Sequence, residues 1–173
     1  MTVTKDVVQE IYTKCLEEAQ QIFPLQTWIH QPSNLEYFNN NSAYAMANAK
    51  GTVFINEKFL GTNSYNQLKS SIMHELAHLV VGVYQKHNRN FKYANRRLQA
   101  GIDVSHEEVE AIRGQCFKYE IVAVTKYGQY IIKSCNRKTK KYTNYNPEVR
   151  KLVLPGKGEI LSFKYIEFGS KVG

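Results

Sequence analysis

His74-Glu75-Leu76-Ala77-His78 lies within a run of apolar residues, Leu68, Ile72, Leu76, Leu79, Val80 and Val83, that recur at three- and four-residue intervals. That spacing requires an amphipathic helix, and it sets both imidazoles on one side of the helix, beside the apolar stripe. An unpaired imidazole is costly to bury there. The pentapeptide fits H-E-x-x-H, in which the two histidines hold Zn²⁺ through ring nitrogens and Glu75 takes a proton from the attacking water. A packed helix and a metal-dependent hydrolase are the first expectations.

A catalytic zinc takes a third protein ligand and keeps its fourth position open. Three sources lie downstream: His87, after eight intervening residues beyond His78; one of Glu107, Glu108 and Glu110, on a second helix; and His106. The stretch Ser105-His106-Glu107-Glu108 also suits a solvated helix start, where Ser caps and acidic side chains complement the helix dipole. The metzincin spacing H-E-x-x-H-x-x-G-x-x-H fails. Its glycine comes one place late, at Gly82, position 84 is Tyr, and no Met follows Met73.

Together, the pentapeptide, His87 and the helical segment opened by Phe91-Lys92 resemble the SprT-like metallopeptidases, a family that includes proteases of DNA–protein crosslinks. Family members carry a strand ending in an apolar-x-Asn step shortly before the active-site helix. Thr52-Val53-Phe54-Ile55-Asn56, followed by Phe59-Leu60, fits that description. The resemblance covers about residues 5–100. It implies that His74, His78 and His87 are the zinc ligands and Glu75 the catalytic residue, with the Glu107 to Glu110 cluster as the runner-up for the third ligand. It implies an α+β fold with a zincin-like minimal metalloprotease core of helices and a small antiparallel sheet. Many relatives also carry a C-terminal zinc ribbon with two Cys pairs. Here Cys15, Cys116 and Cys135 are the only cysteines and none stand in C-x-x-C spacing, so a four-Cys ribbon cannot form.

The rest of the chain supplies a scaffold. Lys5 to Phe23 carries apolar residues at helical spacing and Pro24 closes it. Residues 35–60 read as short strands broken by Asn39-Asn40-Asn41 and Lys50-Gly51, and one sheet edge is expected to take an extended peptide by backbone hydrogen bonds. The active-site helix is expected from about Ser64 to Gln85, with another from Asn90 to Gln99. Phe117 to Val124 and Tyr130 to Ile132 read as two strands around a turn, a ribbon-like shape without its metal. The expected division is a SprT-like core, residues 1–112, and a basic β-rich subdomain, residues 113–173.

Charge separates the same two regions. Residues 1–110 hold 10 Lys/Arg and 11 Asp/Glu, a net −1, whereas residues 111–173 hold 13 and 4, a net +9, giving +8 overall. In the basic region Lys133, Arg137, Lys138, Lys140, Lys141, Arg150, Lys151 and Lys157 alternate with tyrosines. Cations attract phosphates and exposed rings stack on unpaired bases, so DNA, single-stranded DNA included, is an expected partner beside a protein substrate. The competing expectation is a nucleic-acid-binding module whose zincin core is a scaffold with little or no proteolytic activity. Sparse, odd-numbered cysteines suit a reducing compartment. The first residues lack the apolar core of a signal peptide, and no apolar run approaches the roughly 20 residues of a membrane span. A cytoplasmic protein, associated with the nucleoid, without membrane contact, is the expectation.

Overall fold

The computed structural model describes residues 2–41 and 43–168. The chain divides into two compact units, Met1–Ile112 and Arg113–Gly173. Both mix helix and strand, so the fold class is α+β.

The first unit opens with α1 (Lys5–Ile22), capped by Thr4, whose hydroxyl accepts a hydrogen bond from the Val7 amide at 3.3 Å. Val8, Tyr12, Cys15 and Ala19 form its buried face. The helix stops ahead of Pro24, which disfavours helical backbone at the residue before it. Three short strands follow: β1 (Leu35–Phe38), β2 (Ala45–Ala47) and β3 (Val53–Asn56), in the order β1-β3-β2.

This sheet is mixed, which corrects the expected antiparallel one: β2 runs antiparallel to β3, but β1 runs parallel to it. The cause is a crossover. The side-chain amide of Asn56, at the end of β3, donates to the carbonyls of Asn40 and Ala43, each at 2.8 Å. Asn56 is fully buried, so it ties the 39–44 linker across the end of β3. The chain therefore leaves β1 on one side of β3 and returns as β2 on the other.

Next come α2 (Tyr65–Val81), α3 (Arg89–Leu98) and the start of α4 (His106–Cys116). Ile55 of β3 and Phe59 join Leu68, Ile72, Leu76 and Leu79 of α2 as fully buried side chains. Each buried Leu or Ile contributes about 1.5–3 kcal/mol relative to exposure. This helix, α2, is shorter than the expected span from about Ser64 to Gln85. Gly82, at φ 97°, ends it and a 3₁₀ turn at Val83–Gln85 follows.

In the second unit, after the last residues of α4, β4 (Tyr119–Thr125), β5 (Gly128–Cys135), β6 (Val153–Leu154) and β7 (Gly158–Glu167) form a four-stranded sheet in the order β5-β4-β7-β6. A short helix, α5 (Lys140–Thr143), lies between β5 and β6 in the chain. Ile121, Val122 and Ala123 of the central strand β4 are buried. All three cysteines are free. Among the described residues no helix is long and apolar enough to cross a membrane.

Candidate metal centre

The geometry of the histidine cluster starts with two irregular residues. Gly82 takes a positive φ, and Lys86 is the only non-glycine residue with positive φ among those described, at 50°. Side chains rarely adopt such backbone, and it persists where surrounding structure imposes it, often at functional sites. Here the two turns fold the chain after α2 back on itself, so that His87 returns to His74 and His78. Asn88 then caps α3 by accepting from the Phe91 amide at 3.0 Å.

One ring nitrogen from each of His74, His78 and His87 lies within 4.8 Å of the others. His74 Nε2 and His87 Nε2 are 3.2 Å apart. Two ligands of a tetrahedral zinc at about 2.0–2.1 Å would stand about 3.3–3.4 Å from each other, so this spacing fits the ion. The donor chemistry fits as well. Burial, reinforced by the neighbouring histidines, pushes the His74 pKa down to about 4, and burial also lowers that of His78. Both rings are thus neutral at pH 7, with lone pairs available. The buried Nδ1 of His78 has no hydrogen-bond partner, which a cluster held together only by its own hydrogen bonds would not leave. Phe91 packs under all three rings, stacked on His78 at 4.2 Å between centroids and 4.9 and 4.6 Å from His74 and His87.

No carboxylate joins the cluster among the described residues. Glu108 is otherwise engaged: its Oε2 accepts from the Ser105 amide at 3.2 Å while Ser105 Oγ accepts from the Glu108 amide at 3.2 Å, the reciprocal capping box of α4. Its Oε1 accepts from the Asn66 amide in the first turn of α2 at 2.7 Å. The Glu107 carboxyl is held below its usual range by its own backbone amide, with help from the Ser105 hydroxyl. His106 is exposed on the first residue of α4.

Glu75 is buried, and burial pushes its pKa up to about 7, opposed by a hydrogen bond from the Ala47 backbone. It lines a cleft of about 240 Å³ together with His74, Tyr44, Ala45, Gln67 and Ser70. The cleft wall is the β2 edge. Tyr44 and Asn48 direct their backbone groups to β3, through Asn56 N–H to Tyr44 O at 3.0 Å and Asn48 N–H to Thr52 O at 3.1 Å. In an antiparallel pair such bonding residues alternate with outward-facing ones, so Ala45 and Ala47 turn their backbone groups away from β3. A group with a pKa near neutrality beside such an edge suits proton transfer to and from a bound amide. Tyr84 and Tyr93 are highly exposed and do not line the cleft.

In the second unit Lys133, Arg137, Lys138, Lys140, Lys141, Arg150, Lys151 and Lys157 are all exposed. Several rest on the unit's own aromatic rings: Lys138 over Tyr119 and Tyr165, Lys141 over Tyr142, and Lys157 over Tyr130. Lys151 pairs with Glu159 at 3.7 Å. Tyr142 and Tyr145 pack edge-on against Phe163, at 5.0 and 4.9 Å, so those rings serve a small core.

The sequence pattern missed the support given by Phe91, the two positive-φ residues and the outward groups of β2. A Gly directly after an apolar helical run was the one available signal for the turn. Compared with known families and with curated proteins, the chain matches no family model and no curated protein.

Proposed function

We propose that the chain is a zinc-dependent endopeptidase of the SprT-like type, acting on proteins associated with DNA. The observation that carries this reading is the convergence of three imidazoles beside a buried carboxyl group on a cleft walled by a strand edge. His74, His78 and His87 would hold the ion. Zinc, when bound, polarises a carbonyl oxygen and lowers the pKa of water to about 7.

The chain's own residues do the rest. Ala45 and the Ala47 carbonyl offer backbone groups to an extended peptide, which places its scissile amide along the cleft without demanding particular side chains. Glu75 takes a proton from the attacking water and returns one to the leaving amine. The exposed cations of the second unit, within a region of net +9, favour phosphate backbones. That charge also favours the second reading, a nucleic-acid-binding module without proteolysis.

Cleavage of a DNA-bound protein separates the two. Wild type is expected to cut it, and Glu75→Gln to lose at least about 100-fold in rate, the lower range for removing a general base. Equal cleavage by both chains, or none by either in the presence of zinc, would overturn the peptidase reading.

A further inference from the structure

The first unit carries a net −1 over residues 1–110, yet its cations are not evenly spread. Residues 76–102 contain Lys86, Arg89, Lys92, Arg96 and Arg97 and no acidic residue. All five are exposed and none pairs with a carboxylate among the described residues. Elsewhere in this unit Lys14 and Lys69 pair with Glu10 and Glu18, at 2.6 and 2.8 Å.

Arg89, Lys92, Tyr93 and Arg96 fall at i, i+3, i+4 and i+7 along α3, which places them on one face. The opposite face, Phe91, Ala94 and Leu98, is buried. The four outward residues line a cleft of about 440 Å³. Tyr93 stands 57% exposed in the middle of the stripe, with its hydroxyl accepting from Arg97 Nη1 at 3.2 Å. Helix stability does not account for the pattern: cations favour a helix C-terminus, which suits Arg96 and Arg97, but Arg89 and Lys92 occupy the first turn, where the dipole opposes them.

We infer that the outer face of α3 is a second nucleic-acid contact, binding the backbone of a single strand through Arg89, Lys92 and Arg96 with a base stacked on Tyr93. Unpaired cations around an exposed ring are what a phosphate chain with free base faces requires. A duplex offers no free base face, and Arg89, Lys92, Tyr93 and Arg96 include no aliphatic side chain to insert into an anionic membrane. The stripe spans about 10 Å of helix axis. Because Phe91, on the inner face of the same helix, packs on all three histidines, a strand held here passes within about one helix diameter, 10–12 Å, of that cluster. The contact itself does not depend on peptidase activity.

The test is fluorescence anisotropy of a short oligothymidylate with full-length Glu75→Gln, in which proteolysis plays no part, across a salt series. Arg89→Glu/Lys92→Glu/Arg96→Glu is expected to weaken binding by at least about tenfold and to reduce the salt slope by about 2, as for three lost phosphate contacts on a single strand. Arg89→Lys/Arg96→Lys should keep the slope, and Tyr93→Leu should weaken binding where Tyr93→Phe does not. The same reversal in a background with Lys133, Arg137, Lys140 and Arg150 changed to Gln separates this face from the second unit. An unchanged affinity and slope in a variant of wild-type thermal stability would overturn the inference, as would equal loss with Tyr93→Phe and Tyr93→Leu. Binding to anionic vesicles but not to the oligonucleotide would overturn it too. Zinc content, measured on the same samples, reports separately on the metal site.

Discussion

Glu75 in the first unit and Glu120 in the second are each 8% exposed, but their surroundings differ. Glu120 accepts a hydrogen bond from the Arg113 guanidinium at 3.2 Å. Glu75 has no cation beside it and is held near pKa 7 by burial, with only the Ala47 amide in opposition. The same contrast extends outward. Lysines of the second unit rest on its own tyrosines, whereas the first unit leaves His78 Nδ1 without a partner. A buried polar group that the fold satisfies is structural. His30 Nε2 and Tyr65 Oη are also left without a partner, but only His78 stands in a group of three rings able to share an ion.

The largest expected effect breaks that contrast at its base. Phe91 is buried under the three histidines, so Phe91→Ala should cost about 3–5 kcal/mol in chemical denaturation and weaken zinc retention as well. Loss of stability with zinc affinity intact would mean that the rings are positioned without it.

The Glu75 carboxyl gives a pH signature in the metal-free protein. Its pKa is raised from the usual 4.5 to about 7, so the folded state favours the protonated form. Its contribution is fully present below pH 4.5 and is lost as pH rises through 7, by up to about 3 kcal/mol. His74 has the opposite sign: with its pKa pushed down to about 4, its contribution is lost as pH falls below 6.5. Metal-free Glu75→Gln should therefore be more stable than wild type at pH 8 and nearly equal to it at pH 4. A constant difference across that range would show that burial of Glu75 is not the cause.

Smaller effects sharpen the comparison. At Gly82, φ is 97° and an added Cβ would meet Ile29 Cγ2 at 3.3 Å. Gly82→Ala should cost about 1–2 kcal/mol and lower zinc affinity by misplacing His87, a pairing that unfolding and metal titration would reveal. In the second unit, Lys138→Ala removes contacts over Tyr119 and Tyr165 and should cost at most about 1 kcal/mol while leaving zinc content untouched.

How much of this was legible in the sequence follows from how local each signal is. Helical spacing of Leu68, Ile72, Leu76 and Leu79 depends on near neighbours, so α2 could be read directly, as could the side shared by His74 and His78. The sheet could not be read the same way. The parallel pairing of β1 with β3 goes with a linker that Asn56 ties through the carbonyls of Asn40 and Ala43, bonds between residues 13 and 16 positions apart. His87 stood in the sequence as one source of a third ligand among several. What distinguishes it in space is the pair of turns at Gly82 and Lys86, whose backbone angles composition does not encode. The basic stripe of α3 is hidden in the net charge, where the ten cations of residues 1–110 offset eleven acids; only the helix face gathers five of them.

The proposed function stands or falls on whether His74, His78 and His87 hold one zinc ion. Metal analysis of the purified full-length chain, wild type beside His87→Ala, tests it most directly. About one zinc per wild-type chain and a large loss in His87→Ala at unchanged fold are expected, as when one of three protein ligands is removed. Wild type without stoichiometric zinc after zinc loading, or His87→Ala retaining it in full, would contradict it.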